Sequence, residues 1–142
     1  MNLYRFGRRS LRQRDSCSEH LRRVLDRAIA ISPDDFTVVC GHRGQEAQAE
    51  AYATGTSTKD WPNSRHNSYP AEAFDVAPWR IQASGRGYIP WKDTGAFYKL
   101  AGVIEAAAIL EGVNLRHGGD WDDDGLTRDQ NFHDLGHFEE IL

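Results

Sequence analysis

The sequence predicts an α+β domain, and three observations carry the prediction. Apolar residues recur at helical spacing in two well-separated stretches, short β-branched and aromatic runs lie between them, and glycine or proline marks most junctions. Ser16-Cys17-Ser18-Glu19 has the spacing of a capping box, with Leu21, Val24, Leu25, Ala28 and Ile29 at helical spacing behind it. The first helix should therefore run to about Ile31. Ser32-Pro33-Asp34-Asp35 is turn chemistry, and Phe36 to Cys40 reads as a short buried strand that ends in a small buried thiol. Gln45 to Ala53, rich in Ala, Gln and Glu and closing at Gly55, predicts a second helix with a glycine C-cap. From Thr56 to Tyr69 the chain is polar and loop-like, and Ala73 to Ala77 is a strand. Residues 82–92 hold three Gly or Pro and two aromatics, which suits an ordered excursion or short hairpin. Asp93 or Thr94 caps a third helix, in which Phe97, Leu100, Ala101, Ile104 and Ala108 form one apolar face ending before Gly112. An acidic, glycine-bearing loop and a final strand around His137 to Ile141 complete the domain.

Composition narrows the function classes. A chain of 142 residues makes one domain, and at roughly 150 residues about 68–70% of the unfolded surface is buried, enough for a core. Hydrophobic residues are 39% and charged residues 27%, the balance of a folded protein rather than a disordered one. The net charge of −4 is unevenly spread: residues 1–30 hold eight Arg against three acids, and residues 120–140 hold eight acids against one Arg. The arginines read as the solvated outer face of a helix, so no nucleic-acid partner is expected. The two cysteines, Cys17 and Cys40, form no CxxC pair, which argues against a disulfide scaffold and for a reducing compartment. The N-terminus lacks the apolar run of a signal peptide, and no stretch approaches about 18 apolar residues, so no membrane association is expected.

The chemistry concentrates at His66 in Ser64-Arg65-His66, Asp75 in Ala73-Phe74-Asp75-Val76-Ala77-Pro78, and His137 in Asp134-Leu135-Gly136-His137-Phe138-Glu139. Two imidazoles and one carboxylate are the donors that a hydrolytic zinc ion takes when its fourth position must stay open. Asp75 is the residue hardest to explain otherwise, because an unpaired carboxylate inside an apolar strand is costly and a metal would supply its partner. Alternation along a strand lets Asp75 face a cleft with Ala73 and Ala77 while Phe74 and Val76 enter the core. His137 and Glu139 share a face in the same way. Asp134, in the loop just ahead of that strand, is placed to take a proton from the attacking water, and Arg43 is the best-placed cation for a developing oxyanion or a substrate carboxylate. The remaining histidines, His20, His42, His117 and His133, read as surface or hydrogen-bonded residues.

Taken in order, these phrases resemble the phage L-alanyl-D-glutamate endopeptidases of the VanY-like D-alanyl-D-alanine carboxypeptidase family. The matching text is Ser32-Pro33-Asp34-Asp35-Phe36-Thr37-Val38-Val39, Gly41-His42-Arg43 with Gln48, Gly55-Thr56-Ser57, Ser64-Arg65-His66, Ala73 to Pro78, Gly118-Gly119-Asp120-Trp121 and Asp134 to Glu139. The resemblance spans residues 32 to 142 and implies a hedgehog- and DD-peptidase-like fold with a small antiparallel sheet and flanking helices; the chain length leaves one domain, residues 1–142, and no separate wall-binding domain is expected. It implies a Zn2+ ion on His66, Asp75 and His137, Asp134 as catalytic base, Arg43 as the substrate or oxyanion cation, and Gln48 and Ser64 in support of the site. Eight residues separate His66 from Asp75, a longer gap than the family usually has, which should enlarge the Asn67-Ser68-Tyr69-Pro70 loop and alter the cleft more than the metal site.

The activity implied is hydrolysis of a peptidoglycan stem peptide, between L-Ala and D-Glu, by a monomeric phage endolysin. Such an enzyme would wait in the host cytoplasm until a separate pore-forming protein lets it reach the periplasm. Two alternatives share the site: a D-Ala-D-Ala carboxypeptidase and a catalytically silent, zinc-stabilised wall-binding module. Asp120, Asp122 and Asp124 also have the alternate-residue spacing of a Ca2+ loop, although the position of the bidentate Glu in an EF-hand falls on Asn131.

Overall fold

A computed structural model describes residues 4–118 and 134–141. The elements run α1 (Arg8–Asp15), α2 (Glu19–Ile31), β1 (Phe36–Cys40), α3 (Gln45–Ala53), β2 (Ala73–Pro78), β3 (Arg80–Ile81), β4 (Gly87–Tyr88), α4 (Thr94–Glu111), β5 (Leu115–Gly118) and β6 (Asp134–Glu140). Strands β1, β2, β6 and β5 form one sheet in that order, every neighbouring pair antiparallel, and β3 and β4 form a separate hairpin. This is the α+β architecture read from the sequence.

The core forms where the apolar stripes of α2 and α4 meet one face of the sheet. Leu21, Val24, Leu25 and Ala28 of α2 and Leu100, Ala101, Ile104, Ala107 and Ala108 of α4 pack with Phe36, Val38, Phe74, Val76 and Phe138. Burying each of the larger side chains contributes about 1.5–3 kcal/mol, so this layer fixes the register of β2 and β6 and with it the opposite face. Helix α4 is capped at Asp93, whose carboxylate accepts the Ala96 N–H, and stops at Gly112 in the left-handed conformation (φ 69°).

Four details depart from the sequence reading. Helix α1 is an additional element: its single buried residue, Ser10, accepts the Val38 N–H and hydrogen-bonds Thr37 Oγ1, so polar contacts, not an apolar stripe, dock it on β1. The N-cap of α2 is Ser18, which accepts the Leu21 N–H, whereas the Ser16 hydroxyl donates to the Gln13 carbonyl and accepts the His42 N–H. Strand β5 forms where only a loop was expected. Finally, the fully buried thiol is Cys17, while Cys40 is half-buried because a bulge between Val38 and Cys40 turns it out of the core.

Candidate metal centre

The face of the sheet opposite α2 and α4 carries a row of side chains set by strand register. Cys40 of β1 pairs with Asp75 of β2, and Asp75 pairs with His137 of β6, so the three stand side by side across three strands. His66 reaches the row from the loop between α3 and β2. That loop is anchored from several directions: the Ser64 hydroxyl accepts the His66 N–H, the Asn67 carboxamide accepts the Ser64 N–H, and the Arg43 N–H donates to the His66 carbonyl.

Hydrogen bonds assign the nitrogen that each imidazole turns to the centre. His66 donates from Nδ1 to the Gly41 carbonyl at 2.7 Å, so in the neutral imidazole the lone pair is on Nε2. His137 sets Nε2 2.9 Å from Glu139 Oε1 and Nδ1 3.0 Å from Asp75 Oδ1, and the tautomer that donates to Glu139 keeps its lone pair on Nδ1. His66 Nε2, His137 Nδ1 and Asp75 Oδ1 then face one another at 3.0–3.2 Å. Three electron-pair donors aimed at one point are satisfied by a cation. Tetrahedral ligands at Zn–N and Zn–O distances near 2.0–2.1 Å stand about 3.3 Å apart, so the spacing fits such an ion.

The electrostatics agree. Burial alone would pull the His66 imidazole down, but the charge and hydrogen bond of Asp75 outweigh it and push His66 up to about 10. His137 is raised against the same burial by its bonds to Asp75 and Glu139. Asp75 is held well below the usual carboxylate range, because the two imidazoles outweigh the cost of burying it. A centre that draws protons this strongly is one that a metal can occupy instead.

Asp134 opens β6 rather than preceding it, paired with Gly118. The carboxylate lies with the donor atoms of Asp75 and His137, all within 4.8 Å of one another. Burial and the negative charge of Asp75 push Asp134 up to about 6, against the pull of His137, His66 and Arg43. Glycine is required at position 118: a Cβ there would lie 2.1 Å from the Asp134 carbonyl oxygen. Arg43 donates to Asp75 Oδ2 at 3.3 Å and to Gln48 Oε1 at 3.1 Å. Gln48 is fully buried and works as a tie: Oε1 also accepts from Asn67, and Nε2 donates to the Ser57 hydroxyl and the Lys59 carbonyl. Arg43, Ser64, His66, Asp75, Asp134 and His137 all line one cleft of about 140 Å³. A roomier groove, of about 620 Å³, lies between Trp79, the hairpin and α4, but its lining holds no His or Cys.

All seven residues named from the sequence for the metal, the base, the cation and their support thus belong to one neighbourhood. Two members were not singled out as site residues. Glu139 is buried against His137, and Cys40 Sγ lies within 4.8 Å of donor atoms of His66 and Asp75. The i, i+2 spacing of His137 and Glu139 was a usable signal for the first, whereas the bulge that turns Cys40 has no signature in the sequence. Asp120, Asp122 and Asp124 lie outside the described residues.

A family model described as phage L-alanyl-D-glutamate peptidase matches residues 1–141. The chain belongs to that family. Within the phage L-alanyl-D-glutamate peptidase family, it is 35% identical over 140 residues to the L-alanyl-D-glutamate peptidase of Escherichia phage T5, covering 96% of this chain and 97% of that one. Its fold is similar to the crystal structure of the L-Ala D-Glu endopeptidase ChiX of Serratia marcescens, with a TM-score of 0.73 and 25% identity over 97% of this chain and 90% of ChiX. Family membership and the cleft agree in kind: the cleft gathers two imidazoles, two carboxylates and a guanidinium, from His66, His137, Asp75, Asp134 and Arg43, the kinds of group that peptide hydrolysis can use.

Proposed function

We propose that this chain is a zinc-dependent endopeptidase that hydrolyses the bond between L-Ala and D-Glu in peptidoglycan stem peptides and serves as a phage endolysin. The observation that carries the reading is the meeting of His66 Nε2, Asp75 Oδ1 and His137 Nδ1 at 3.0–3.2 Å, beside Asp134 and Arg43 in one cleft. The activities for which the phage T5 and Serratia relatives are named support the choice of bond. Zinc is favoured among divalent ions because the donors are two imidazoles and one carboxylate at tetrahedral spacing.

A zinc ion held by His66, Asp75 and His137 would supply Lewis acidity toward the scissile carbonyl and lower the pKa of water to about 7. Asp134 takes the proton of the attacking water and returns it to the departing amine of D-Glu. A carboxyl group raised to about 6 suits both transfers near neutral pH. Arg43 uses one guanidinium donor on Asp75 and one on Gln48, and its other N–H groups serve a developing oxyanion or a substrate carboxylate. Gln48 and Ser64 keep Arg43 and His66 in place.

The test is digestion of purified muropeptides with mass spectrometry of the products, alongside metal analysis. The expected products are muramyl-L-Ala and a stem beginning at D-Glu. Freed terminal D-Ala would instead identify a D-Ala-D-Ala carboxypeptidase. The variant Asp134→Ala should bind zinc normally and lose about 10²–10⁴-fold in kcat; wall lysis that survives this change would point to a catalytically silent module. No helix among the described residues is long and apolar enough to cross a membrane. On this reading the enzyme acts as a monomer over residues 1–142 and reaches the wall from the host cytoplasm through a separate pore-forming protein. Expression alone should leave cells intact, and lysis should follow only when the inner membrane is permeabilised.

A further inference from the structure

The His137 imidazole is gripped from behind by a carboxylate that two arginines grip in turn. Glu139, two residues further along β6 and only 2% exposed, accepts the His137 Nε2–H on Oε1 at 2.9 Å. Its Oε2 receives Arg116 Nη2 at 2.6 Å and Arg65 Nε at 3.0 Å. Arg116 is the cross-strand partner of Glu139 on β5. Arg65 comes from the loop, directly before His66, and also pairs with Glu72. Both oxygens of a buried carboxylate are therefore committed: one to the imidazole, the other to two cations from separate parts of the chain.

We propose that Glu139 is a positioning residue for the metal centre, with Arg65 and Arg116 as the clamp that holds it. The inference rests on the zinc reading above and deepens it. A neutral imidazole carries one proton, and only the nitrogen without it can bind a metal. Accepting from Nε2 locks the proton there and leaves the Nδ1 lone pair toward Asp75 and His66. The two histidines are treated differently, since His66 leans on the Gly41 carbonyl, a neutral acceptor, whereas His137 leans on an anion that makes it the more basic ligand. The Arg65–Glu139 ion pair does a second job. It ties the loop that carries His66 to the strand that carries His137, and so sets the distance between two ligands that lie 71 residues apart in sequence.

The experiment compares the full-length wild type, Glu139→Ala and Glu139→Gln by chelator-competition zinc affinity, with nitrogen-correlated NMR of the imidazoles to read the His137 tautomer. The wild type with zinc should show His137 protonated at Nε2. Glu139→Ala should bind zinc ~10–100-fold more weakly. Glu139→Gln keeps an acceptor oxygen for Nε2–H and should recover part of that loss, a rescue that loss of packing alone does not produce. Zinc affinity unchanged in both variants, or a wild-type His137 protonated at Nδ1, overturns the role of Glu139 while leaving the zinc peptidase reading intact. A wild type that binds no zinc overturns both. Should Glu139→Ala fail to fold, the wild-type tautomer and the Gln variant still decide.

Discussion

The position of Asp134 rests on a single missing methyl group, which makes Gly118→Ala the sharpest probe of the proposed base. A Cβ at Gly118 would stand 2.1 Å from the Asp134 carbonyl oxygen and 2.9 Å from its carbonyl carbon and Cβ. Non-bonded carbon contacts settle at about 3.5–4.0 Å, so the start of β6 must retreat from β5 by about 1 Å or more. A displacement of that size costs about 10²-fold when it falls on a catalytic group, equivalent to roughly 2.7 kcal/mol in the activation barrier. The proposed metal ligands should feel little of it. His137 lies three residues further on, paired with Asp75, and β2 and β6 are held in register by Phe74 and Phe138. The expected result is a kcat about 100-fold lower with zinc affinity close to that of the wild type, and a loss of about 1–3 kcal/mol in stability from overpacking. Muropeptide kinetics, chelator competition and thermal melts read the three quantities separately. A Gly118→Ala enzyme with full kcat would refute the reasoning, because Asp134 would then not depend on the contact between β5 and β6. Equal losses of kcat and zinc binding would also refute it, by showing that the base and the metal centre move as one.

Two further outcomes follow from the same cleft. Gln48→Ala removes a buried carboxamide that bonds Arg43, Asn67, Ser57 and the Lys59 carbonyl. Leaving such buried partners unmatched costs about 1–3 kcal/mol each where water cannot reach them, so the melting temperature should drop and KM should rise as Arg43 loosens; a variant as stable as the wild type counts against the tie. The pH response of the chelated, metal-free protein should include two opposed effects, beside those of Asp75, His66 and His137. Glu139 is buried, which alone would raise it, but its bonds to His137 and Arg116 hold it down at about 2 against an ordinary 4.5. Its contribution, roughly 3 kcal/mol, is therefore present above pH 4.5 and lost as the pH falls toward 2. Asp134 has the opposite sign, raised by burial and by Asp75 from 3.8 to about 6, so protonating it between those values stabilises the fold. Denaturant melts across pH 2–7 on the wild type, Glu139→Gln and Asp134→Asn should separate the two; a wild-type acid profile unchanged by Glu139→Gln would contradict the first assignment.

What the sequence made legible was whatever local physics decides. Gln45–Ala53 and the apolar face of α4 declare themselves through propensity and spacing, and Asp93 and Gly112 mark the ends of α4 with side-chain and backbone caps. Asp75 announced a site because a carboxylate between Phe74 and Val76 has no cheap place in a core strand. The features that stayed hidden are those decided by a partner distant in sequence. Helix α1 has no stripe to detect, since Arg8–Asp15 offers only Leu11 and is held by Ser10 on β1 and by Gln13, which accepts the Gly41 N–H. Strand β5 is a short polar segment whose β-structure comes from pairing with β6, and its His117 is spent stacking on Phe138 and bonding the Leu135 carbonyl. Glu139 was visible as a face-mate of His137, but its grip on the imidazole depends on Arg65 and Arg116, 74 and 23 residues away. The proposed ligand set can therefore be read from motifs, whereas the tautomer that would make His137 a ligand depends on contacts that only the folded chain brings together.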